Sequence, residues 1–187
     1  ALLESKDIAH PAIEGFFTID EETGMTGAFE LKAGFLEGEI LLNLDTEDDD
    51  ELTIGCAGGV NVSGEAFYDE IEMNQNFETI HITVRGLSGG HSGMDITKGL
   101  GNANKLMNRF MHELMQETEF SIIEIEGGGL RNAIPRESNA VIGVAKKYLD
   151  RFTAVKDKFS AEVIAEYKDT DPNFIFETKA VNHITKG

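Results

Sequence analysis

Between Phe77 and Val181 the apolar residues change their period in a fixed order, and that order leaves few folds open. Ile80, Ile82 and Val84 alternate with Thr79, His81, Thr83 and Arg85, the pattern of a strand with one buried face. Leu100, Ala103, Met107, Phe110 and Leu114 then recur at helical spacing, and Thr97 is a plausible N-cap for that helix. Residues 120–125 and 140–144 read as two more strands, joined through Gly127, Gly128, Gly129 and Pro135. A second helical stripe carries Leu149, Phe152, Val155, Phe159, Val163 and Tyr167, and residues 173–181 form a weaker last strand. The order β-α-β-β-α-β is the split βαβ, or ferredoxin-like, pattern. It predicts a four-stranded antiparallel sheet with both helices on one face.

The first 58 residues read differently. Residues 13–19 and 39–44 are short, nearly continuous apolar runs, and residues 24–36 between them are compatible with a helix. Two such runs around a helix predict a βαβ unit with strands covered on both faces. Both runs end on acids, Asp20, Glu21 and Glu22 in one case and Asp45 in the other. Since sites in open α/β sheets lie beyond the carboxyl ends of the strands, these carboxylates are expected in one place. The expected division is therefore residues 1–58 and residues 59–187, an α/β chain throughout, with no internal repeat.

Charge narrows the partners. The 187 residues carry a formal net charge of −18, and from Glu14 to Glu51 thirteen acids face one base, Lys32. Nucleic acid and anionic membranes repel such a surface, and no apolar stretch approaches the roughly 20 residues of a membrane helix. Cys56 is the only cysteine, so an intrachain disulfide is impossible and a reducing, cytoplasmic compartment is the default. It is expected to be a small buried apolar residue. The start, Ala1-Leu2-Leu3-Glu4, has neither an initiator Met nor a secretory signal, which suits a piece of a longer protein.

Three constellations could carry chemistry. Adjacent acids such as Asp20, Glu21 and Glu22 repel one another, and divalent metals relieve that repulsion, since carboxylates are competent zinc ligands. A plain charged loop is the alternative. His91 sits between Gly89-Gly90 and Ser92-Gly93, where glycines let the backbone approach a ligand, whereas His10, His81, His112 and His183 read as ordinary surface or core residues. Asn132 and Arg136, in the stretch from Gly127 to Arg136, could grip a carboxylate or carbonyl, or could simply belong to a turn. Other motifs fail on spacing: His112-Glu113 is followed by Gln116 where a zinc helix needs histidine, and the twelfth residue from Asp45 is Cys56, not the glutamate of an EF-hand.

Taken in order, Thr18-Ile-Asp-Glu-Glu-Thr-Gly-Met-Thr-Gly-Ala-Phe29, Leu41-Leu-Asn-Leu-Asp-Thr-Glu47 and Gly55-Cys-Ala-Gly-Gly59 are similar to the aminoacylhistidine (Xaa-His) dipeptidases of the two-zinc aminoacylase and carboxypeptidase superfamily. So are Gly86-Leu-Ser-Gly-Gly-His-Ser-Gly93, Gly99-Leu-Gly-Asn-Ala-Asn-Lys-Leu106 and Leu130-Arg-Asn-Ala-Ile-Pro-Arg-Glu137. The resemblance is close from Pro11 to Gly143 and faint beyond Lys146. It implies Glu21 as the general base, Glu22 and Asp45 as ligands to two divalent ions (zinc, with cobalt or manganese as alternatives), and His91 as the residue that stabilises the oxyanion. Asn132 and Arg136 would hold the dipeptide substrate. Residues 1–58 would be a slice of the catalytic zinc-peptidase domain, and residues 59–187 the first lobe of a lid through which a homodimer forms.

The resemblance also implies residues that are not visible. The family uses a His-x-Asp motif, a metal-bridging Asp and a further His ligand, and no histidine here has Asp two positions on. The chain by itself is therefore expected to be an inactive piece of a dipeptidase. The alternatives are a stand-alone ferredoxin-like binding or dimerisation module, or an acidic cation buffer.

Overall fold

The structure, a computed structural model, describes residues 4–45, 50–56, 58, 60, 62–73 and 76–182. Glu47, Gly59 and His183 lie outside the described residues. The chain divides into two compact units, Ala1–Ser63 and Gly64–Gly187.

The second unit is built on β1 (Phe77–Arg85), α2 (Ala103–Glu117), β3 (Phe120–Gly127), β5 (Ser138–Ala145), α3 (Leu149–Glu166) and β6 (Ile175–Ala180). Two short strands, β2 (Gly90–His91) and β4 (Ala133–Ile134), form a separate pair. The four long strands make one sheet in the order β3-β5-β1-β6, with every neighbouring pair antiparallel. In this register Ile80, Ile82 and Val84 of β1 stand opposite Ile142, Ala140 and Ser138 of β5, so the apolar residues of both central strands share one face. In β3 a bulge between Ile122 and Glu124 resets the alternation, which puts Ile122 and Ile125 on the same side.

Both helices cover that face and pack against each other. Phe110 of α2 is fully buried at the centre, its ring 6.0 Å from Phe152, 5.3 Å from Phe159 and 4.8 Å from Phe176. One aromatic side chain thus joins both helices to the edge strand β6, in the tilted arrangements aromatic pairs favour. At the surface Arg109 of α2 bridges to α3 through Glu162 and Glu166, and pairs with Glu113 one turn along its own helix. The β-α-β-β-α-β expectation describes this unit. The cap of α2 does not follow it: Thr97 lies in a 3₁₀ turn over Ile96–Lys98. Gly99 follows in a left-handed conformation, and the helix starts at Ala103 with the Asn102 side chain accepting from the Lys105 N–H.

The first unit corrects the βαβ expectation. Among the described residues, neither 13–19 nor 39–44 forms a strand, and only α1 (Thr26–Phe29) is helical within 24–36. A strand is completed by a ladder of backbone partners, and neither run meets one among these residues. Phe17, Ile19, Leu42 and Leu44 are accordingly exposed. So short a helix gains little by itself, and it ends at Phe29 with Glu30 as its C-cap. Cys56 is exposed and not buried, because residues 51–56 form no element against which it could pack.

Because Phe110 joins three elements, Phe110→Ala is expected to cost about 3–5 kcal/mol. Urea unfolding followed by circular dichroism of the 187-residue chain measures this. A loss below about 1 kcal/mol would mean that the helices are held by something other than this cluster.

Candidate functional site

Residues 86–95 leave the core through a series of specific ties. Gly86 turns the chain in the left-handed region, and a Cβ there would collide with the carbonyl oxygen of Asn173. Leu87 drops back into the core. The backbone N–H of Ser88 then donates to Oδ1 of Asp171 at 2.7 Å, while the Gly101 N–H donates to Oδ2 at 2.8 Å. Asp171 is almost wholly buried. Burial pushes its carboxyl upward, but the N–H groups of Ser88 and Gly101 outweigh that and hold it below its ordinary 3.8. One carboxylate thereby fixes both the stretch leading to His91 and the entry to α2.

His91 lies in β2, opposite Ala133 of β4, and the Ser92 N–H donates to the Asn132 carbonyl at 2.8 Å. A Cβ on Gly89 would collide with Cγ of Arg136, so the arginine stem lies directly over that glycine. The structure therefore brings His91 together with Asn132 and Arg136, which the sequence places 41 and 45 positions away. The second stretch is anchored as well: the Ala103 N–H donates to the Pro135 carbonyl at 2.9 Å, and Asn104 Nδ2 to the Gly127 carbonyl at 3.0 Å. All three side chains are exposed. Among the described residues nothing pairs with the Arg136 guanidinium, the Asn132 amide or His91 Nε2, so all three are available to a ligand. Together they offer a planar two-pronged donor, an amide and a ring N–H, which suit a carboxylate and a peptide carbonyl.

The His91 ring itself is held. Its Nδ1 accepts from the backbone N–H groups of Gly93 at 3.1 Å and Met94 at 3.2 Å. An acceptor at Nδ1 places the proton of the neutral ring on Nε2.

In the first unit Glu21, Glu22 and Asp45 are all exposed. Sequence reading passed over Asp20 as one more acid, yet Asp20 organises this loop. Its carboxylate accepts from the hydroxyls of Thr23 and Thr26, and its carbonyl from the N–H groups of Gly24 and Met25. The two hydroxyls, Thr23 first, hold the Asp20 carboxyl below its ordinary range. The Asp-x-x-Thr-x-x-Thr spacing was the available signal. The engagement of Asp20 leaves Glu21 and Glu22 as the loop's outward carboxylates. Among the described residues no three His, Cys, Asp or Glu side chains gather where a metal ion could sit. Glu22 and Asp45 have the right donor chemistry for a divalent ion, but the described residues do not make a complete shell around either. The other histidines are unremarkable in position: His10 and His112 are exposed, and His81 is half-buried on the open face of the sheet.

Residues 82–171 match the family described as the peptidase dimerisation domain. Along 173 residues, 92% of its length, the chain is 39% identical to the cytosol non-specific dipeptidase of Escherichia coli (strain K12) and covers 36% of that protein. The crystal structure of aminoacylhistidine dipeptidase from Vibrio alginolyticus is similar over 99% of this chain, with a TM-score of 0.70 and 35% identity, and 38% of that structure is covered. The chain thus spans little more than a third of the relatives it matches.

Removal of the Asp171 charge should loosen both ties at once. Asp171→Asn is expected to cost about 1.5–3 kcal/mol at neutral pH, the range for hydrogen bonds to a charged group. The carboxyl is depressed in the folded chain, so its contribution is complete above the ordinary value of 3.8 and disappears as pH falls through the lower folded value. Denaturant titrations from neutral to acid pH should therefore show the two proteins converging below about pH 4. A constant difference across that range would count against this reading.

Proposed function

We propose that this chain, which carries a peptidase dimerisation domain over residues 82–171 and resembles dipeptidases along nearly its whole length, serves a homodimeric enzyme that hydrolyses dipeptides. The observation that supports the reading best is the meeting of His91, Asn132 and Arg136 on one paired stretch, with all three polar groups unengaged among the described residues. A dipeptide has a free carboxylate within a few bonds of its scissile carbonyl. Arg136 is assigned to that carboxylate and Asn132 to the peptide's backbone groups. His91 is assigned to the carbonyl oxygen, where a ring N–H would stabilise the charge that develops during hydrolysis.

Glu21 is assigned as general base toward water, next to the anchored Asp20. Glu22 and Asp45 are assigned one to each of two divalent ions in the whole protein, zinc first. A cytoplasmic location accords with the name of the Escherichia coli relative, and no described helix is long and apolar enough to cross a membrane. The two relatives differ in the specificity their names express, one non-specific and the other directed to aminoacylhistidines. A preference for Xaa-His is proposed on the sequence resemblance. A module that only dimerises is the second reading, and the match over residues 82–171 favours it independently of any chemistry.

Two experiments separate these readings. With the whole protein and a panel of dipeptides, His91→Ala is expected to lower kcat about 100-fold or more, the size of losing one oxyanion donor. Arg136→Ala is expected to act mainly on KM. A whole protein that dimerises but hydrolyses no dipeptide would favour the module. With the 187-residue chain alone, calorimetric titration is expected to show weak zinc binding and no turnover, since a tight site generally takes three or four protein ligands. Stoichiometric sub-micromolar binding with turnover would overturn the assignment of Glu22 and Asp45 to incomplete sites.

A further inference from the structure

The turn that carries His91 is closed by an acid that none of the assignments above uses. The His91 backbone N–H donates to Oδ2 of Asp95 at 2.7 Å, and the Asp95 N–H donates back to the His91 carbonyl at 3.0 Å. The other carboxylate oxygen, Oδ1, lies 2.7 Å from Lys98 Nζ. Gly90 makes the approach possible, because a Cβ there would stand 2.6 Å from Oδ2 and 2.9 Å from the Asp95 Cβ. Inside the closed turn the imidazole lies against Gly93, whose added Cβ would meet the ring at 3.3 Å. There Nδ1 takes the N–H groups of Gly93 and Met94.

The ordinary reading of Asp95 is a helix cap, since it directly precedes the 3₁₀ turn over Ile96–Lys98. Its side chain makes no capping hydrogen bond there. The carboxylate is turned back to His91 instead.

We infer that Asp95 is the positioning residue of His91: by holding the His91 N–H it closes the turn whose Gly93 and Met94 N–H groups fix Nδ1 as an acceptor and leave Nε2–H as the donor. The inference rests on the proposed function for its catalytic meaning, but the state of the ring can be read without any activity. Asp95 acts through His91 and touches no substrate itself. With the turn closed, the ring presents one kind of nitrogen and needs no rearrangement when a carbonyl oxygen arrives. With it open, both tautomers and several ring orientations become available.

Two arms test this. Long-range ¹H–¹⁵N spectra of the native 187-residue chain at neutral pH should show His91 as a single tautomer protonated at Nε2. Asp95→Ala should replace it with a mixture of tautomers, while the thermal midpoint of the chain moves little, because the turn is exposed. Asp95→Asn keeps an oxygen for the His91 N–H, loses the charge toward Lys98, and should retain the single tautomer. In the whole protein, Asp95→Ala should lower kcat about 10- to 100-fold with KM nearly unchanged, the effect of a displaced transition-state donor, and Asp95→Asn should restore most of it. A native ring protonated at Nδ1, or an Asp95→Ala ring that keeps the single Nε2 tautomer, overturns the inference. A whole protein without dipeptidase activity refutes the proposed function, and the spectra still decide the role of Asp95.

Discussion

The buried carboxylate of Asp171 is the interaction on which the candidate site depends. It comes from the stretch that follows α3, yet its two oxygens hold Ser88 and Gly101, one near the end of β1 and the other just before α2. A charged group so deeply buried is tolerable only when hydrogen bonds replace its lost water, and two backbone N–H groups do so here. The same two bonds decide where the chain leaves the core. Everything downstream, from the Gly89 contact with Arg136 to the turn at His91, starts from a backbone already fixed at Ser88.

Aspartates at Asp20 and Asp95 act in a related way at smaller scale. Each is exposed or half-exposed, and each turns back onto a nearby backbone or hydroxyl donor. In both places the engaged aspartate adjoins or closes a turn that bears residues assigned to chemistry, Glu21 and Glu22 in one unit and His91 in the other. A short carboxylate is suited to this, because it can accept several local donors without reaching into the space a ligand would occupy. The aspartate holds the turn and its neighbour stays free.

The two units contrast in how their apolar residues are satisfied. In residues 64–187 the alternation of β1 and the stripes of α2 and α3 end in one shared core around Phe110. In residues 1–63 runs of comparable apolar character remain exposed, among them Leu42 and Leu44. Hydrophobicity alone does not make a strand: a β-segment also needs backbone partners for each N–H and C=O, and those come from elsewhere in the sheet.

This divides what could be read from residues and what could not. Period, order and direction were written in the sequence of the second unit, because alternation at Ile80, Ile82 and Val84 and helical spacing at Met107, Phe110 and Leu114 reflect a local repeat that burial imposes on each element. The chemical suspects were also legible: glycines around His91, and Asn132 and Arg136 in a turn-rich stretch, stand out by composition. The partnerships were not. That Gly89 makes room for Arg136, that His91 pairs across to Ala133, and that the carboxylate of Asp95 turns to the His91 N–H rather than to a helix end are facts of close approach between segments or around a turn. A two-residue strand such as β2 has no period to detect, and Asp171 looks like any other acid near the end of a helix. Local repeats are fixed by the chain's own geometry, whereas a hydrogen bond across 70 or more residues exists only once the core has brought its two ends together.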